Sequence, residues 1–249
     1  MIKVSIITTS FNSEKYIADC IRSVNMQSYP NIEHIIIDGN SKDNTVKIIE
    51  ENRSKKSKFI CEKDNGPYDA FNKGIKQATG DFVGFVHSDD MLVSKDVITK
   101  LVVTIMEQGK DAIYGDLNFV NAKNTDMIIR KWVSGDFNRS RFYFGWMPPH
   151  PTLYIKKSIY NKLGYYNETQ SADYELIIRF FCKHQISCTY LNETIYIMRA
   201  GGKSNLSISN RLQAHKCDWL AWLENDISIF PIWVILKPLR KIYQYFCNR

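Results

Sequence analysis

The run DFVGFVHSDD, residues 81–90, carries an apolar stretch straight into two adjacent carboxylates, Asp89 and Asp90. Asp81 to His87 reads as a buried strand, so the acidic pair stands at its carboxyl end. The same grammar repeats upstream. The β-branched run Val4 to Thr9 ends on Thr8, Thr9 and Ser10. Ile32 to Ile37 ends on Asp38 and Gly39, and Phe59 to Glu62 leads to Lys63 and Asp64. Between these runs lie helical patterns. Glu14 to Met26 spaces Ile17, Cys20, Ile21 and Val24 for one helix face. Val46 to Asn52 follows the polar, capping turn Ser41 to Thr45. Asp69 to Ala78 follows the turn Asn65-Gly66-Pro67. Strand and helix in alternation predict βαβ units and a mostly parallel sheet. Ligands of such sheets bind beyond the carboxyl ends of the strands. Four successive strands here deliver polar or acidic groups to that one edge.

The second half has a different pattern. Tyr114 to Asn121 and Met127 to Trp132 read as antiparallel strands, and residues 139–151 as an aromatic- and proline-rich loop. Thr152 to Ile155 is a further strand, Ile159 to Leu163 a short helix closed by Gly164, and Ala172 to His184 a longer one. Ser187 to Met198 holds one or two strands. Residues 1–210 are expected to form one compact domain. Residues 211–249 read as a basic, amphipathic helical tail with Trp219, Trp222, Phe230, Trp233 and Phe246. Such a tail either packs on the domain or lies in a membrane interface.

Bulk properties set limits on function. The chain has 249 residues, 44% of them apolar, which is enough for a real core. The formal charge of +7 suits nucleic acid, an anionic surface or a phosphorylated substrate without choosing among them. Six cysteines are scattered without a CxxC pair, which argues against a zinc site and a disulfide scaffold and for reduced thiols in a cytoplasmic setting. The N-terminus reads as a first strand rather than a signal peptide. No apolar run reaches the roughly 18 residues of a membrane span.

The acidic strand ends suggest oxygen ligands for a hard cation. Carboxylates suit Mg²⁺ or Mn²⁺, which commonly share their shell with substrate phosphates. Asp38 and Asp64, at neighbouring strand ends, could accept hydrogen bonds from a base or ribose. Asp173 opens a predicted helix and reads either as a cap or as a general base. His150 sits in a stiff loop between Pro149 and Pro151. Gly201-Gly202-Lys203-Ser204 is a flexible, positive turn suited to phosphates, although its spacing is not that of a P-loop. A GxGxxG after the first strand, a GxSxG elbow and an HExxH pair are all missing.

With these residues in place, the chain closely resembles the family 2 glycosyltransferases, inverting enzymes of GT-A fold. VSIITTSFN (4–12) resembles that family's first strand and loop, and IIIDGNSKDNT (35–45) its nucleotide-recognition strand. EKDNGPYDAFNKGIKQATGDFVGFVHSDD (62–90) resembles the segment leading to the metal motif. HPTLYIKK (150–157) and SADYELIIRF (171–180) resemble acceptor-side segments, and GGKSN (201–205) the loop near the donor diphosphate. The resemblance implies an α/β GT-A fold with a central sheet flanked by helices and a small antiparallel element. It implies that Asp90 ligates the metal, that Asp89 lies nearer the ribose, and that Asp38 contacts uracil or ribose. Thr9, Phe11, Asp64, Lys73, Gly202 and Ser204 fall on the donor side by the same resemblance, His150 and Tyr174 on the acceptor side, and Asp173 at the catalytic base. The motif departs from the family by opening on His87 in place of an acid.

The resemblance further implies a UDP-sugar donor, a Mn²⁺ or Mg²⁺ ion and transfer of a hexose or N-acetylhexosamine with inversion. The acceptor it implies is a saccharide linked to undecaprenyl diphosphate, used for polysaccharide or O-antigen synthesis at the cytoplasmic membrane face. A nucleotidyltransferase is the rival reading, but it should carry a Gly-rich, basic loop after the first strand, and Thr8 to Ser13 has neither glycine nor lysine. A nucleic-acid binder would cluster its basic residues with exposed aromatics, whereas here they are spread along the chain.

Overall fold

A computed structural model describes residues 1–167, 171–201 and 208–227. Its parallel half follows the expected alternation: β1 (Val4–Ser10), α1 (Ile17–Asn25), β2 (Ile32–Asp38), α2 (Thr45–Asn52), β3 (Lys58–Cys61), α3 (Pro67–Gln77) and β4 (Phe82–Phe85). β1 pairs in parallel with both β2 and β4, and β2 with β3. The strands are apolar on both faces because helices cover both. Val4 and Ile6 of β1 pack with Cys20 and Val24 of α1, while Ile7 packs on the other face with Phe71 and Ile75 of α3.

Helix starts differ from the expected ones by local chemistry. α1 begins at Ile17 because the Ser13 carbonyl already takes the N–H groups of Tyr16 and Ile17 in a turn. α3 begins two residues early, at Pro67, where the ring supplies helical φ and no donor is wasted. Gly66 precedes it at φ +120°, a conformation that only glycine enters freely. After β5 (Met91–Leu92) comes α4 (Val97–Gln108), which the strand-like run VITKLVVTI conceals. Val97, Ile98, Leu101, Val102 and Ile105 are its buried face, and Gly109 ends it in the left-handed region.

The remaining strands are β6 (Ala112–Val120), β7 (Ile128–Trp132), β8 (Tyr154–Lys156) and β9 (Cys188–Arg199). They complete one mixed sheet in the order β3-β2-β1-β4-β8-β6-β9-β5, with β7 on β6. The β6–β7 hairpin is antiparallel as expected, and β8 runs antiparallel to both β4 and β6. The strand expected at Thr152 is displaced, since His150–Thr152 forms a 3₁₀ turn first. β9 is a single strand, parallel to β6 and antiparallel to β5. α5 (Lys157–Leu163) follows β8. α6 (Ala172–Ile177) continues into a π-helical turn over Ile178–Lys183, so the long helix expected there exists in two windings.

The first part of the tail, α7 (Ile208–Glu224), docks on α6. Trp222 is fully buried, and its indole N–H donates to the Tyr174 hydroxyl at 2.9 Å. Asn225 donates to Glu175 at 3.1 Å, and Lys183 pairs with Asp226 at 3.1 Å. Among the described residues no helix is long and apolar enough to cross a membrane. Phe230, Trp233 and Phe246 lie outside the described residues.

The join between the two halves of the sheet is tight. A Cβ on Gly84 of β4 would stand 2.3 Å from the Tyr154 ring of β8, and Tyr154 is itself buried. Gly84→Ala is expected to cost about 1–3 kcal/mol by overpacking. Denaturant unfolding with an unchanged midpoint would contradict that packing.

Candidate active site

The loops beyond β1, β2, β3 and β4 meet at one edge, as the strand ends required. Ser13 and Ser88 share a hydrogen bond at 2.9 Å, tying the β1 loop to the acidic turn. The Asn12 backbone N–H donates to Ser41 at 2.9 Å, and the Lys42 N–H donates to the Asn12 side chain at 2.9 Å. Asp38 organises this floor. Its carboxylate accepts from the hydroxyls of Ser10 at 2.8 Å and Ser41 at 2.7 Å and from the Ser41 N–H at 2.8 Å. Asp38, expected at the uracil or ribose, is 0% exposed in this arrangement. Its oxygens are spent on holding the loops.

Asp64 and Phe11 have open surface beside it. Phe11 is 55% exposed, unusual for a large apolar ring. Asp64 is half-buried and accepts from the Gly66 N–H at 3.0 Å. Gly39 separates the two: a Cβ there would lie 2.5 Å from Asp64 Oδ2 and 3.3 Å from the Phe11 ring. A carboxylate and an aromatic ring thus converge over Gly39. Thr9 lies half-buried near the end of β1. Lys73, expected on the donor side, turns to the loop after β3. It pairs with Glu62 at 3.0 Å and Asp69 at 3.4 Å and donates to the Lys63 carbonyl at 2.8 Å, bracing the loop after β3.

The acidic turn is held from behind by β9. Tyr196 accepts the His87 backbone N–H at 2.9 Å and donates to Asp90 Oδ2 at 3.1 Å. The Arg199 backbone N–H donates to Asp90 Oδ1 at 3.1 Å, and its guanidinium reaches the Asp89 carbonyl at 2.7 Å and Asp19 of α1 at 2.6 Å. Neither Tyr196 nor Arg199 carries a sequence signal beyond its place ahead of the glycine pair. Asp90 is 0% exposed, and burial followed by the Asp89 charge raises its pKa well above the usual carboxylate range. Asp89 is half-buried, and its carboxylate accepts no hydrogen bond from the described residues. Of the pair expected to divide between metal and ribose, Asp90 is thus buried and Asp89 partly open.

Among the described residues no three His, Cys, Asp or Glu side chains gather into a cation site. Mg²⁺ needs only one or two carboxylates when phosphates and water complete its shell, and Mn²⁺ takes the same oxygen donors. Two crowded carboxylates, one with its charged form disfavoured by burial and by the other, fit such an ion. Gly202 and Ser204 lie outside the described residues.

Across the mouth, Asp173 stands in the first turn of α6, half-buried. Tyr68 of α3 donates to its Oδ1 at 3.1 Å, joining residues 105 positions apart. His87 and His150 lie close enough to feel its charge. Burial, then the neighbouring His150, pushes His87 down to about 3 against the pull of Asp173. Burial also lowers His150, whose Nε2 shares a 2.7 Å hydrogen bond with the Tyr166 hydroxyl. His150 is thus part of the wall on this side. Tyr174 is not: it is 4% exposed and faces α7 and Trp222, because successive helix positions point about 100° apart. Tyr68, which the sequence reading did not single out, is the tyrosine bonded to Asp173.

The Asp90 shift has a consequence for stability. Its folded pKa exceeds the unfolded value, so the stability linked to it is complete below the unfolded value and is lost as pH rises through the folded one. Asp90→Asn keeps an acceptor and cannot ionise. In cation-free buffer at pH 8 it is expected to raise the Tm, by roughly 2–4 °C per kcal/mol recovered. The gain should shrink towards pH 4. A Tm lowered at pH 8 and unchanged at pH 4 would contradict the shift.

Comparison with known proteins agrees with this geometry. Residues 5–183 match the family described as Glycosyl transferase family 2. A PGL/p-HBAD biosynthesis glycosyltransferase of Mycobacterium bovis (strain BCG / Pasteur 1173P2) is 27% identical over 208 residues, 81% of this chain and 78% of that protein. The structure of S. aureus TarS 1-349 in complex with UDP-GlcNAc is similar with a TM-score of 0.71 at 22% identity, covering 91% of this chain and 68% of that one. The mannosyltransferase PcManGT from Pyrobaculum calidifontis, in complex with GDP-Man and Mn²⁺, gives a TM-score of 0.63 at 15% identity over 98% of this chain and 69% of that one. The central mixed sheet flanked by helices is the GT-A fold of these enzymes. By the family match over most of its length, the chain belongs to glycosyl transferase family 2.

Proposed function

We propose that this glycosyltransferase moves a hexose or N-acetylhexosamine, with inversion, from a UDP-sugar to a hydroxyl of a lipid-linked saccharide. The observation that carries the reading is the chain of contacts from Asp173 to the acidic turn at the end of β4: Tyr68 donates to Asp173, its ring packs on Phe71 at 5.8 Å, and Phe71 stacks on His87, two residues before Asp89. A single displacement needs this arrangement, with a base on one side of the sugar and the leaving diphosphate on the other. Asp173 takes the proton of the acceptor hydroxyl as that oxygen attacks the anomeric carbon. The Tyr68 hydroxyl orients it. Asp89 and Asp90 would hold a divalent cation, which offsets charge on the departing diphosphate.

The base is read against Phe11 and Asp64 beside Gly39, with stacking on the exposed ring and acceptance by the carboxylate. Nucleoside diphosphate sugars bound by TarS and PcManGT support a donor of this class. The name of the mycobacterial relative supports a role in glycolipid or polysaccharide synthesis. The basic, tryptophan-bearing tail fits an acceptor at a membrane surface and the inner face of the cell membrane as the place of work. An undecaprenyl-diphosphate carrier is the specific acceptor proposed.

Two measurements test the reading. Gly39→Ala should displace Asp64 and Phe11 and weaken UDP binding about tenfold, read by calorimetry, because the added methyl meets both side chains. Asp173→Asn should bind UDP-sugar as the parent does and lose transfer by about 10²–10⁴-fold. Full transfer by Asp173→Asn, with product read by mass, would remove Asp173 as the base.

A further inference from the structure

His87 is the residue of the acidic turn that the mechanism above leaves without work. In-line displacement, the reading on which this inference rests, places the transferred sugar between the Asp89–Asp90 turn and Asp173. His87 belongs to both sides of that gap. It lies two residues before Asp89 in the chain, and its ring stacks on Phe71, which packs on Tyr68, the donor to Asp173.

The ring is held firmly. Its backbone N–H is fixed on Tyr196 at 2.9 Å. The imidazole stacks on Phe71 at 5.5 Å between centroids with 28° between planes, and on His150 at 6.1 Å and 18°. Phe71 and His150 are buried and hold these positions from below. His87 itself is half-buried, with part of its surface open. His150 spends Nε2 on Tyr166, but no described residue hydrogen-bonds a ring nitrogen of His87. Polar groups walled in by a protein normally find a partner, and one that is rigid, partly open and unpartnered at a substrate mouth is placed for a ligand.

We propose that His87 reads the transferred sugar, with a ring nitrogen hydrogen-bonded to a hydroxyl or acetamido group of the donor's pyranose ring. The two ring nitrogens can donate to or accept from a sugar hydroxyl. Unlike a carboxylate at this position, the imidazole adds no negative charge beside Asp89 and Asp90. His87 is a specificity residue on this account and transfers no proton.

His87→Phe keeps the ring and its stacking and removes both nitrogens, and His87→Asn keeps a polar group without the ring. The experiment is steady-state transfer from the preferred nucleotide sugar and from its monodeoxy analogues, with UDP affinity and Tm as controls. For His87→Phe, kcat/KM with the parent donor should fall about tenfold or more, with UDP affinity unchanged. Preference for the parent over one deoxy donor should collapse, and His87→Asn should restore part of it. An unchanged kcat/KM and preference in both variants would overturn the proposal. So would a loss of UDP affinity as large as the loss of kcat/KM, which would mark His87 as structural. A parent enzyme that transfers no sugar from any UDP- or GDP-sugar would instead remove the transferase reading and this inference with it.

Discussion

Two hydrogen bonds from β9 to one buried carboxylate govern the geometry of this site. Asp90 accepts from the Tyr196 hydroxyl and from the Arg199 backbone, residues more than a hundred positions away. The acidic turn therefore cannot take its shape until β9 has paired with β5 and β6. The first four strands set out the donor edge, and the last strand of the sheet locks its acidic corner. Arg199 adds a buried positive charge between that corner and Asp19 of α1, so the α1, β4 and β9 elements share one electrostatic knot. A Tyr196 without its hydroxyl would leave both the His87 N–H and an Asp90 oxygen short of a partner, which is costly in a buried place.

The parallel half of the fold was legible because each strand is a short β-branched run followed by a turn and a helical spacing. The sites at the ends of those strands were legible for the same reason. The direction of each side chain was not. Asp38, Asp89, Asp90 and Lys73 all stand where expected in the chain, yet Asp38 and Asp90 turn inward and Lys73 braces a loop. Whether a strand-end carboxylate faces substrate or protein depends on donors supplied by other loops, and those have no periodicity to read. α4 was hidden because Val and Ile fit strand and helix alike, and only the length of the run and Gly109 argue for the helix. Tyr196 and Arg199 were invisible because a single tyrosine or arginine in a strand has no spacing that distinguishes it.

The two sides of the mouth are built differently. The nucleotide side is a polar mesh of serine, asparagine and aspartate side chains bonded to backbone, which fixes loop shape with short-range hydrogen bonds. The Asp173 side is aromatic, with Tyr68 stacked on Tyr166 at 5.8 Å and His150 enclosed by Phe71, Phe85 and Tyr166. Aromatic walls keep out water and suit the apolar face of a sugar ring, whereas the mesh suits a phosphate-bearing nucleotide. Tyr68, at the start of α3, is where the two materials touch.

The docking of α7 bears on how this protein can be cut or joined to others. Asp173 and Tyr174 are neighbours on one short helix. The first faces the mouth, while the second is capped by the Trp222 indole, with Asn225 covering Glu175 beside it. The motifs that identify the family stop well before residue 222, so a boundary drawn from motif coverage parts α6 from the helix packed on it. A chain shortened to those motifs would uncover a tyrosine, a carboxylate and an apolar face on the helix that carries Asp173. In engineering terms, the helix that carries Asp173 keeps its cover only in a chain that runs past Asn225.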